Sequence, residues 1–434
     1  MKIAIIGAGI SGLSAAHALY QDHELVIYEA ADYIGGHAHT VDISTPEGEI
    51  PVDTGFIVFN EDNYPGFTSL LTQSAVHSQP TKMSFGVSTA TGTEYRGSNP
   101  SSLFAQRKNL RSRRHWRMLK DITRFNKQVA RLVADEQPWS GADRLAVAPS
   151  HGQQSIADFV ATGDYSQAFV EDFLLPFGSA IWSASPAQFG EFPIRSYARF
   201  MANHGLLGLN GRKQWRTITG GSREYVTRLS APFHDRIRLS TPVLQVTDSL
   251  AGALVQTAAG AEIFDAVIMA SHSDVSRKLL GDPTEAERET LEAINYTPNT
   301  ATLHRDQSVM PNNRRAWAAW NYHVSADRPG ANVTYWMNEL QALPTRTEVF
   351  VTLNRSDQID PAEVYGEWTY HHPEFDLRAL NAQHRRAELQ GSRRRWYAGA
   401  YWGYGFHEDG AQSGLTAAQA LLAAHARPQM VLAA

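Results

Sequence analysis

The 434-residue sequence contains no cysteine. Disulfides, a thiol nucleophile, a redox dithiol and thiolate-held iron–sulfur clusters are therefore excluded. The absence also fits a reducing compartment. No apolar run approaches the roughly 18 residues that a membrane-spanning helix needs. The apolar stretch after Lys2, Ile3-Ala4-Ile5-Ile6, meets glycine too soon to be a signal-peptide core. A cytoplasmic protein is expected. There is no G-x-S-x-G elbow and no H-E-x-x-H pair, so hydrolase chemistry has no support and no metal is expected. Internal repeats and low-complexity segments are also missing. A net charge of −5 says little about partners when averaged over the chain.

What is present is an ordinary globular composition, 43% hydrophobic and 10% aromatic, over a length that calls for two lobes. Residues 2–6 form a short buried strand, 11–21 carry Leu13, Ala16 and Leu19 at helical spacing, and Leu25 to Tyr28 form a second strand. This is a βαβ start to a parallel sheet. Residues 61–206 are helix-rich and belong to another lobe. Strands return at 236–247, 265–270, 299–303 and 349–354, with an acidic helix at 284–295. A Gly/aromatic loop at 399–414 precedes a final Ala/Leu-rich helix. The expected class is α/β: a Rossmann-like lobe from 1–60, 207–290 and 391–434, and an interleaved α+β substrate lobe from 61–206 and 291–390.

Gly7-Ala8-Gly9-Ile10-Ser11-Gly12 follows the first strand and opens the first helix, the context that a G-x-G-x-x-G pattern requires. Gly7 serves the tight turn, Gly9 the approach of backbone to a pyrophosphate, and Gly12 the packing of helix on strand. Glu29 ends the second strand, where its carboxylate can take both ribose hydroxyls and would repel a 2′-phosphate. A second glycine pair, Gly35-Gly36, lets the chain pass close to an extended cofactor, which favours FAD over NAD. Asp53-Thr54-Gly55 would approach the flavin end. Only one complete fingerprint exists, so reduction by an organic substrate is expected rather than by a nicotinamide.

Gly7 to Thr40, Gly220-Gly221-Ser222-Arg223-Glu224-Tyr225, and Trp396 to Gly410 together resemble the flavin amine oxidase superfamily. Phrases such as Gly35-Gly36-His37, Ala316-Trp317-Ala318-Ala319-Trp320-Asn321-Tyr322 and Gly405-Phe406-His407-Glu408-Asp409-Gly410 resemble a bacterial subgroup of that superfamily. Its members occur beside cyclopropane-fatty-acyl-phospholipid synthases. The resemblance implies non-covalent FAD, an adenine contact at Val243, and a final loop meeting the ribityl chain and pyrimidine ring. Residues expected to hold the cofactor are Gly7, Gly9, Ile10, Ser11, Gly12, Glu29, Ala30, Gly35, Gly36, His37, Gly55, Phe56, Val243, Ala400, Tyr401, Gly405, Phe406 and His407. Carried over, His407 offers its backbone N–H to the flavin C2 carbonyl.

The chain departs from amine oxidases at three places. Asn299 stands where they place a lysine bonded through water to flavin N5, and no lysine occurs after Lys278. His37 replaces an arginine, and Tyr401 replaces a ribityl-binding glutamate. The catalytic candidates are Asn299, Phe406 and Tyr401. Glu408-Asp409 reads as helix capping before it reads as an acid/base pair. The expected activity is FAD-dependent oxidation or desaturation of a fatty-acyl or phospholipid substrate. The alternatives are a redox-neutral double-bond isomerase, an amine oxidase and an accessory protein to a lipid methyltransferase. Residues 107–127 read as a basic amphipathic helix with Trp116, Leu119, Ile122, Phe125 and Val129 along its apolar side. Its plainer role is a solvated face on the substrate lobe. Its functional role is contact with anionic phospholipid at the inner membrane surface. Nothing resembles a nucleic-acid module.

Overall fold

The computed structural model describes residues 1–134, 154–208, 213–325 and 330–426. The expected C-terminal segment beyond residue 426 lies outside them.

Five short strands form a parallel sheet in the order Arg395–Tyr397, Ala266–Met269, Lys2–Ile6, Glu24–Tyr28, Ile237–Arg238. Apart from the edge strand Ile237–Arg238, they are mostly apolar runs buried on both faces, which is what a covered parallel sheet requires. Helix Ile10–Leu19 covers one face with Leu13, Ala16 and Leu19, all inaccessible or nearly so. Each large side chain buried in this way contributes about 1.5–3 kcal/mol. The carboxyl ends of these strands point the same way, and the four longest are followed by Gly7, Glu29, Ala270 and Ala398. Ligands of open α/β sheets bind at that edge.

A second sheet has seven strands in the order Val364–Pro373, Tyr296–His304, Phe350–Leu353, Val333–Trp336, Trp320–Val324, Phe85–Thr89, Glu94–Arg96. Two of these lie inside 61–206, a stretch expected to be helical. Core packing also crosses the expected boundaries between lobes. Ile43, Ile50 and Val52 of the hairpin 40–53 pack with the second sheet. Phe67 and Leu70 of helix Pro65–Gln73, and Ala379 and Ala382 of helix Leu377–His384, pack with the first.

The basic segment is two elements, a 3₁₀ turn Arg107–Arg111 and a helix Arg113–Leu132 capped by the Ser112 side chain. Its inner face is His115, Met118, Asp121, Phe125 and Val129. Trp116, expected on that face, is 51% exposed. Phe125 and Val129 lie on the inner face as expected, but the earlier turns face inward through His115, Met118 and Asp121, and Asp121 there accepts the Ser166 N–H at 2.9 Å.

Candidate active site and cofactor cradle

The strand ends of the first sheet and the faces of the second enclose a cavity of about 630 Å³. Gly7, Gly9, Ile10, Ser11, Glu29, Ala30 and Val243 line one end, together with Thr241 and Pro242. Gly12 is packing rather than lining: a Cβ there would stand 1.9 Å from the Gly7 carbonyl oxygen. Gly9 is different. A Cβ there would meet no protein atom nearer than the Gly35 carbonyl at 4.0 Å, so the space in front of it is not reserved for the chain itself.

Helix Ile10–Leu19 starts at Gly9 with no side-chain cap and no acid in its first turn. Its free N–H groups and positive dipole end are open to an anion. Beside it, Glu29 accepts from the Ala8 N–H at 2.8 Å and the Ala31 N–H at 2.9 Å. Two backbone donors fix the carboxylate while leaving lone pairs for ribose hydroxyls. An uncapped helix start, an open glycine and an oriented carboxylate fit the adenosine diphosphate half of FAD.

At the other end the walls are Gly36, His37, Gly55, Phe56, Ala400, Gly405, Phe406 and His407. His37 and Gly55 are held together, since the Phe56 N–H donates to the His37 carbonyl at 2.7 Å. Helix His407–Ala426 begins on this wall. The His407 ring stacks on Phe56 at 3.7 Å and hydrogen-bonds Tyr225 at 2.6 Å. Its backbone N–H has no acceptor among the described residues, and the dipole of a 20-residue helix lies behind it. Phe406 stacks on Phe200 at 5.1 Å and has Trp182 at 6.4 Å. Neither neighbouring carboxylate faces the cavity as an acid/base group. Glu408 caps helix Pro65–Gln73, accepting from the Gly66 and Phe67 N–H groups at 2.9 and 2.8 Å. Asp409 accepts from Tyr404 and Phe406 at 3.0 Å each. Asp53, expected near the flavin, is also absent from the wall. It caps helix Arg223–Ser230 through the Ser222 N–H at 2.8 Å, and burial pushes its carboxyl up to about 6.

The two other catalytic candidates differ in place. Tyr401 touches the cavity but is 2% exposed, with its ring packed on Trp402 at 4.8 Å. Asn299 is 1% exposed and does not reach the cavity. It lies behind His372, which does. The donors and acceptors along this chain of bonds are assigned from the backbone groups at its start. The Thr300 N–H donates to Asn354 Oδ1 at 3.0 Å, and Asn354 Nδ2 donates to the Ala331 carbonyl at 3.0 Å. That amide therefore donates to Asn299 Oδ1 at 2.8 Å, leaving Asn299 Nδ2 to face His372 Nδ1 at 3.1 Å. His372 Nδ1 must accept, so its proton is on Nε2.

His372 is one of a group. Its ring centroid is 5.6 Å from His37, and His37 is 5.7 Å from His272. His272 stacks on Tyr296 at 4.5 Å, and His371 stands 6.5 Å from it. Burial depresses His37 to about 4, and His272, His372 and His407 to about 3. These four rings are neutral at physiological pH. Neither His272 nor His372 was singled out from the sequence as a site residue; His372 is the penultimate residue of the strand Val364–Pro373. The available signal was position: His272 comes three residues after Met269, the last residue of a buried strand, at the edge where ligands bind.

Glu29 is the one Asp, Glu, Lys or Arg among the described lining residues. The second lobe contributes Met83, Ile181, Trp182, Trp320, Tyr335 and Leu340.

Residues 10–314 match the model of the flavin-containing amine oxidoreductases. No curated protein matches the chain. Cyclohexylamine oxidase from Brevibacterium oxydans IH-35A is similar in structure, with TM-score 0.67 and 18% identity over 98% of this chain and 99% of that one. Putrescine oxidase bound to putrescine gives 0.67 and 15% over 98% and 99%. The fatty acid isomerase of P. acnes, which produces CLA, gives 0.67 and 15% over 95% and 97%.

Proposed function

The chain belongs to the flavin-containing amine oxidoreductase family, and from that premise we propose that this FAD-dependent oxidoreductase oxidises the acyl chain of a lipid. The observation that carries the reading is the charge of the cavity. Glu29, the one Asp, Glu, Lys or Arg among the described lining residues, stands at the adenosine end, and the opposite end offers mostly aromatic and aliphatic groups, with the imidazoles of His37, His272 and His372 kept neutral by burial. An uncharged chain is gripped there by area, at about 0.8 kcal/mol per buried methylene. FAD, when bound, takes two electrons and a hydrogen from a carbon centre. The protein's part is to hold that carbon in place and keep water from it. Trp182, Trp320, Tyr335 and Phe406 supply rigid walls for both tasks. The residues expected from the sequence to hold FAD are assigned to it here, with Gly12 acting through packing. No lysine is among the described lining residues.

The test is anaerobic mixing of the oxidised holoprotein with unsaturated phospholipids, and separately with primary and secondary amines. Loss of flavin absorbance with a lipid and not with amines is expected. Bleaching by an amine alone would overturn the substrate class. Migration of a double bond with no lasting bleaching would replace oxidation by isomerisation.

A further inference from the structure

The basic segment is not absorbed by the site. Residues 107–134 carry ten Lys or Arg and one acid, so this stretch is +9 while the rest of the chain is −14. Its acid is spent internally: Asp121 pairs with Arg124 at 3.0 Å. Arg114 is spent too, bonded to Asp172 at 2.7 Å and Glu171 at 3.0 Å. The other eight cations are exposed and have no ion pair among the described residues. Several crowd the start of helix Arg113–Leu132, whose first turn holds no acid. Cations at a helix N-terminus oppose its dipole. Local stability therefore argues against this arrangement, and a merely solvated face would not select it.

The second observation is apolar. Trp116 and Leu110, 51% and 47% exposed, lie among these cations. The Trp116 indole N–H donates to the Leu110 carbonyl at 2.9 Å, and Phe104 stands 5.2 Å from its ring. The indole is thus held in place at the surface. A fixed tryptophan and an aliphatic side chain ringed by arginine and lysine match the interface of an anionic bilayer, where the rings sit at headgroup depth. An indole could also stack on a nucleic-acid base, but Leu110 has no counterpart there. The inner face of the same helix, through Phe125, shares a core with Trp182 and Phe406 of the cavity wall.

We propose that the turn Arg107–Arg111 and helix Arg113–Leu132 dock the protein on anionic phospholipid, with Trp116 and Leu110 entering the headgroup layer. This does not rest on the identity of the oxidised substrate. The test is flotation of the holoprotein with vesicles of phosphatidylcholine alone or mixed with phosphatidylglycerol. Binding should require phosphatidylglycerol and fade with salt. The quadruple variant R111S/R113S/R117S/K120S should bind roughly 10²–10³-fold more weakly, on about 1 kcal/mol per cation. Trp116→Ala should weaken binding and remove a blue shift in tryptophan emission seen with the native protein. Unchanged flavin content and melting temperature would show that the variants are folded, and the salt and lipid dependence of the native protein tests the proposal without them. Equal binding to neutral vesicles, no binding to either, or tighter binding to single-stranded RNA than to phosphatidylglycerol would overturn it.

Discussion

Replacing Asn299 by aspartate should move the proton of His372 from one ring nitrogen to the other while leaving the ring in place. In the native protein Asn299 Nδ2 donates to His372 Nδ1 across 3.1 Å. Putting the proton on Nδ1 would set two donors against each other at a buried site, at a cost of about 1–3 kcal/mol. That corresponds to about a 5–150-fold preference for the Nε2–H form. A carboxylate at 299 can only accept, and a charge-assisted bond of about 1.5–3 kcal/mol reverses the preference. The same charge raises the His372 pKa from about 3 by roughly 1–3 units. The ring therefore stays neutral at pH 7, and what changes is that the cavity loses a donor and gains an acceptor. Nitrogen NMR on histidine-labelled protein reads the protonated nitrogen directly, with His372→Gln identifying the resonance among the 17 histidines. The flavin spectrum is a second readout. His372→Gln keeps a donor near the Nε2 position and should preserve it, whereas Asn299→Asp and His372→Leu should shift it together. Finding Nδ1–H in the native protein, or no change in Asn299→Asp, would refute the reading of the Asn354–Asn299–His372 chain.

Glu29→Ala should weaken FAD binding by about 1–3 kcal/mol, the loss of a charge-assisted hydrogen bond, measured by titrating the apoprotein with FAD; unchanged affinity would remove the ribose role. Asp53 gives a pH prediction. Its folded pKa is about 6 against 3.8 for the free group, so between these values the folded state binds the proton more tightly. Stability must then fall as pH rises through this window, by about 3 kcal/mol at completion. Asp53→Asn keeps the accepting oxygen and should flatten the melting temperature from pH 4 to pH 6; an unaltered slope would sink the assignment.

The dinucleotide half of the site was legible because its signal is local. Gly7, Gly9, Gly12 and Glu29 lie within one strand–helix–strand unit, and their chemistry follows from order along the chain. The histidine group was not legible, because His37, His272 and His372 come from three distant segments whose convergence only the topology decides. Asn299 shows an intermediate case. Its strand was found, but in a strand one step of register exchanges the two faces. The pairing of Asn299 with Tyr370, which sets His372 beside it, is a property of the partner strand. Trp116 failed for a related reason. A hydrophobic period cannot identify the true inner face when His115 and Asp121, both polar, occupy it.

The order of strands in the first sheet also sets a timetable for the protein's making. Lys2–Ile6, the earliest strand of this sheet along the chain, lies between Glu24–Tyr28 and Ala266–Met269, and the edge beyond them waits for Arg395–Tyr397. The cavity wall runs from Ile6 to His407. At roughly 5–20 residues per second, the last of that wall is made about 20–80 s after the first. The glycine loop must spend that interval with its helix start uncapped and its far wall missing. FAD can therefore be enclosed only once His407 has been made, and truncation before His407 should leave a chain that has completed most of these strands and cannot retain the cofactor.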